Sequence, residues 1–94
     1  MENLNIIVDE MENLLSKIKF YNMIMEAKYN GKLRDIELIN GVNAYIDELV
    51  ILIKRIDEIE VNAINNGDDE LMFKCEYRKT IAINAIEELN EIYF

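Results

Sequence analysis

The chain has 94 residues, with 19 acidic and 10 basic side chains, no histidine and a formal charge of −9. That length allows one domain with a modest core. The sign of the charge argues against direct binding to nucleic acid, which needs cations set against phosphates, and against anionic membranes. Apolar residues make up 51%, proline is absent and glycine occurs three times, so long helices are expected rather than many short strands.

The first thirteen residues carry Glu2, Asp9 and Glu10 and no basic stretch, which predicts no secretory leader. From there Leu4, Ile7, Met11, Leu14, Ile18, Tyr21 and Met25 follow alternating steps of three and four, an unbroken apolar stripe. A helix over about 3–29 follows from it, ending at Asn30-Gly31, where glycine suits the left-handed C′ position.

The second helix is expected over about 35–65. One stripe runs through Leu38, Val42, Tyr45, Leu49, Leu52, Ile56, Ile59 and Ala63. A second runs through Ile39, Val42, Ile46, Leu49, Ile53 and Ile56. Two overlapping stripes make a face wider than a coiled-coil seam, so this helix should be central, with neighbours on two sides. Asn40-Gly41 is a weak point that threatens a kink or a separate short segment over 34–39. Asn66-Gly67 closes the helix.

Asp68 is placed to cap a third helix over about 69–92, with Asp69 and Glu70 favourable at its positive end. Its stripe is Leu71, Cys75, Arg78, Ala82, Ala85, Leu89 and Ile92, with Met72, Ile86 and Tyr93 beside it. Arg78 should lay its stem along the core and send its head to solvent. Short connections then give an all-α, up-down-up antiparallel three-helix bundle of long coiled-coil-like helices, about 40 Å long at ~1.5 Å per residue. Val50, Ile51, Phe73, Ile81 and Ile83 find no obvious place in three thin helices. A homodimer would cover them.

Without histidine there is no Ser-His or Cys-His arrangement, and the commonest metal ligand is missing. Gly31, Gly41 and Gly67 are isolated, so there is no phosphate loop. Cys75 lies on the inner stripe and reads as a small core residue; a single cysteine forms no internal disulfide and fits a reducing cytoplasm. No apolar run approaches the ~20 residues of a membrane span. Asp57 with Glu60, and Glu88 with Glu91, have the i,i+3 spacing that carboxylates use to share Mg²⁺ in helical nucleotide pyrophosphohydrolases. Up-down-up topology sends the two pairs toward opposite ends, which leaves that enzyme a remote alternative. No enzyme activity, cofactor or metal is expected.

The same topology gathers Glu10, Asp57, Glu58, Glu60, Asp68, Asp69 and Glu70 at one end of the rod. Such a pole either caps helices and solvates a surface, or recognises a basic groove on another protein. On the second reading these seven, with Phe73 off the main stripe as an anchor, form the partner-binding set. The expected partner is a protein with a basic surface, such as a nucleic-acid-processing enzyme. Phage and mobile-element inhibitors of that kind, anti-CRISPR proteins among them, have this size and charge, which is an analogy of class. The alternative of a different kind is a structural homo-oligomerisation module.

Overall fold

A computed structural model describes residues 3–29 and 36–94, and the side chains of 3–26 and 40–94. The expected turn at Asn30-Gly31, Glu2, and the stripe positions Leu38 and Ile39 lie outside the described residues and side chains. Three helices make up the fold: α1 (Leu4–Tyr29), α2 (Ile36–Asn65) and α3 (Asp69–Tyr93). They form an all-α bundle 49 Å long and 19 × 18 Å across. Its radius of gyration is 15.3 Å, against about 12.4 Å for a compact chain of this length.

The stripes become the core. Leu4, Ile7, Met11, Leu14 and Ile18 of α1 are buried, with Tyr21 and Met25 half-buried against them. On α2, Val42, Leu49 and Ile56 are fully buried where the two stripes cross. Ile46 and Ile53 are half-buried to one side, and Leu52 is buried on the other. The double-width face is thus used up by two neighbours. Charged pairs fix the register. Arg55 of α2 donates to Glu10 of α1, and Lys79 of α3 reaches Asp57 and Glu60 of α2, at levels that fit both neighbours running antiparallel to α2.

The turn between α2 and α3 follows from one glycine. Gly67 takes φ +70°, the left-handed region where a side chain is strained. Its N–H donates to the Ile64 carbonyl and that of Asp68 to the Ala63 carbonyl, the two bonds of a Schellman motif. Asp68 then caps α3 by accepting from the Leu71 N–H at 3.1 Å.

The weak point at Asn40-Gly41 does not divide the second helix, and one expectation on α3 needs correction. α2 runs uninterrupted through Asn40-Gly41, as a helix over about 35–65 requires. A Cβ at Gly41 would stand 3.3 Å from the Tyr21 hydroxyl, so the missing side chain leaves room for a tyrosine of α1 rather than breaking the helix. On α3 the stripe ends on Tyr93, which is buried, while Ile92 is half exposed. Tyr93 wins the inner position because its hydroxyl donates to Asn22 Oδ1 of α1 at 2.5 Å and its ring lies 6.3 Å from that of Tyr21. Tyr21 in turn meets Tyr45 edge-on at 5.5 Å, so three tyrosines join three helices.

Burial, and secondarily the nearby Tyr21, raise the Tyr93 pKa above its ordinary 10.0. A raised folded pKa means the unfolded chain loses that proton first, so stability falls as pH rises above about 10. Denaturant midpoints between pH 9 and 11 should show that fall, with a shallower slope in Tyr93→Phe. An equal slope in both proteins would remove Tyr93 as a cause. In the core, Ile56→Ala should cost about 2–5 kcal/mol in chemical denaturation, whereas exposed Val61→Ala should stay within about 0.5 kcal/mol.

Candidate partner-binding surface

The up-down-up path brings the start of α1, the end of α2 and the turn into α3 together, as the placing of the acidic residues requires. Most of the expected set is nonetheless engaged within the chain. Glu10 pairs with Arg55, and Glu70 with Lys74 one turn on at 3.2 Å. Asp57 and Glu60 share Lys79, at 2.7 and 3.0 Å. Asp68 is the cap of α3. Glu58, Asp69 and Phe73 stand in solvent.

Lys79 is the most enclosed of these cations, with a fifth of its side chain exposed. Asp57 above all, then Glu60, raise its pKa above 10.5 against the opposing effect of burial. Its ammonium thus sits between the two carboxylates that the sequence offered as an Mg²⁺ pair. Glu60 Oε2 is buried with no hydrogen-bond partner, which makes Lys79 its main compensation. Cys75, one turn before Lys79, is fully buried, and burial followed by the Glu60 carboxylate pushes its thiol pKa up. A protonated, inaccessible thiol is a poor nucleophile. Thr80 donates its hydroxyl to the Glu76 carbonyl at 2.9 Å. Among the described residues no group of three or more Cys, Asp or Glu is placed to hold a metal, and no helix is long and apolar enough to cross a membrane.

A different surface emerges on the outward side of α3. Asp69, Glu70, Glu76, Glu87, Glu88 and Glu91 are all exposed there. Helical spacing sets Asp69, Glu70 and Glu76 beside Phe73 and Tyr77, which are 61% and 63% exposed, one turn apart, while Glu87, Glu88 and Glu91 follow ten or more residues later on the last turns. Arg78 lies 5.5 Å over the Tyr77 ring while its guanidinium reaches Glu12 of α1 at 3.6 Å, so the expected snorkelling ends in an ion pair. Toward the second turn, Val61 and Ile64 of α2 add exposed apolar area beside Glu58. Sequence reading singled out Phe73 but passed over Tyr77, Val61 and Ile64. The signal for Tyr77 was its place four residues after Phe73, on the same face.

Comparison with protein-family models, with curated proteins and with solved structures returns no match, so the functional reading rests on the chain's own chemistry.

Removing Lys79 tests the polar cluster. Lys79→Met should destabilise the fold by about 1–3 kcal/mol, because it strands a mostly buried carboxylate. Adding Glu60→Gln to that variant should recover part of the loss in urea titrations. A Lys79→Met protein as stable as the parent would show that the cluster is energetically idle.

Proposed function

We propose that this chain is a non-enzymatic binding protein that covers a basic surface on a protein partner, and that the outward side of α3 near the second turn makes the contact. The single observation that carries this reading is the exposed aromatic pair Phe73 and Tyr77 among exposed carboxylates on one helix. Aromatic side chains supply binding energy at interface centres. Surrounding charge of one sign steers encounter with an oppositely charged target and rejects like-charged ones. A groove that ordinarily holds nucleic acid has the required sign. Occupying it would make the chain a competitive inhibitor of a nucleic-acid-processing enzyme, the mode of the phage-borne and anti-CRISPR inhibitors that its size and acidity resemble.

The contact set is Glu58, Asp69, Glu70, Phe73, Glu76 and Tyr77. Glu10, Asp57, Glu60 and Asp68 act indirectly, by bracing the three helices against one another and starting α3. The test begins with an affinity capture from the native host's lysate, followed by calorimetry on the purified partner. Phe73→Ala should weaken binding about 30-fold, the effect of losing ~2 kcal/mol at a central anchor. Asp69→Asn with Glu76→Gln should weaken it further at low salt and less at high salt. Nucleic acid should compete for the same partner. Unchanged affinity in both variants would overturn the assignment of this face.

A further inference from the structure

The seam between α1 and α3 is the thin side of the bundle, since α2 takes the larger share of both neighbours. Its C-terminal half opens into a groove of about 390 Å³ floored by Leu15, Ile18, Ala85 and Leu89. The two lips are built alike. On α1, Lys19 is followed four residues on by Met23; on α3, Glu88 is followed four residues on by Ile92. Met23 is 60% exposed and Ile92 50%, while Lys19 and Glu88 stand in solvent. α1 and α3 run parallel, and the shared groove puts the lips at one level along the rod.

We infer that this groove is the interface with a second copy of the chain, related by a twofold axis running along the rod. Such an axis keeps the level and exchanges the lips. Lys19 of each copy then faces Glu88 of the other, and Met23 faces Ile92. A twofold interface must be self-complementary in this way, because each contact occurs twice with the partners exchanged. A twofold axis across the rod would set α1 on α1 and lose the charge match. Glu26 also borders the groove, beyond Met23 toward the end of α1, where it opposes none of the carboxylates of α3 named above.

The groove residues of α3 follow Tyr77 by eight positions or more, so the inference does not depend on the proposed function.

Sedimentation equilibrium of the full chain from about 1 to 100 μM at physiological salt tests it. The expected mass is twice 11.1 kDa at the upper end. Lys19→Glu alone and Glu88→Lys alone should each weaken association at least about tenfold, by setting like charges face to face. The double variant should return to within about threefold of the parent. Both positions are exposed, so circular dichroism should show all variants equally helical. A monomer throughout the range overturns the inference, and so does a double variant that stays as weak as the singles.

Discussion

Val42, Leu49 and Ile56 are buried completely because they sit where the two apolar stripes of α2 cross, and each stripe serves a different neighbour. α1 and α3 are positioned by α2 before they are positioned by each other. This ordering explains the thin α1–α3 seam, which is closed at one level by Arg78 with Glu12 and at another by Tyr93 with Asn22 and Tyr21. Between those points the seam opens into the groove. A central helix with a broad face therefore gives a stable rod and an unfinished side in one step.

Four of the ten basic residues hold this arrangement. Arg55, Arg78 and Lys79 each join two helices, and Lys74 braces the first turns of α3. Exposed pairs of this type contribute little each, but their placement decides where uncompensated charge is left. Near the second turn it leaves Glu58, Asp69 and Glu76 exposed outside these pairs, as Asp9, Asp47 and Glu48 are elsewhere. Phe73 and Tyr77 stand near the first three.

The helices and their inner stripes were readable because a period of three and four reports burial directly, and the breakers at Gly67 and Asp68 act within a few residues of themselves. What escaped depends on contacts distant in sequence. Gly41 is tolerated in α2 because of Tyr21, twenty positions earlier on another helix. Tyr93 displaces Ile92 because of an asparagine on α1; hydrophobicity alone ranks the two the other way. The pairing of Glu10 with Arg55, or of Asp57 with Lys79, depends on how far each helix is rotated about its axis, which periodicity fixes only to within a residue or so. The acidic residues were therefore gathered at the end of the rod where the topology puts them, but not sorted into residues that hold the fold and residues that face outward. Only Lys74 with Glu70, an i,i+4 pair, was available from spacing alone.

The two unfinished surfaces bear on each other through symmetry. A twofold axis along the rod keeps both copies pointing the same way, so it presents two copies of the second-turn end side by side. The bundle is 18–19 Å across, and charges separated by that distance are largely screened at physiological salt, where the Debye length is about 8 Å. In the proposed dimer the equivalent acidic residues would therefore oppose association only weakly. Together they would offer a bivalent surface. Against a target with two basic sites at matching separation, the second contact forms at the high effective concentration set by a rigid linkage, and the avidity gained can exceed what either face achieves alone. A twofold axis across the rod would place the same faces at opposite ends, about the 49 Å length of the bundle apart, where one compact basic groove could engage only one of them. The direction of the axis thus decides whether dimerisation strengthens binding to a single partner or bridges two.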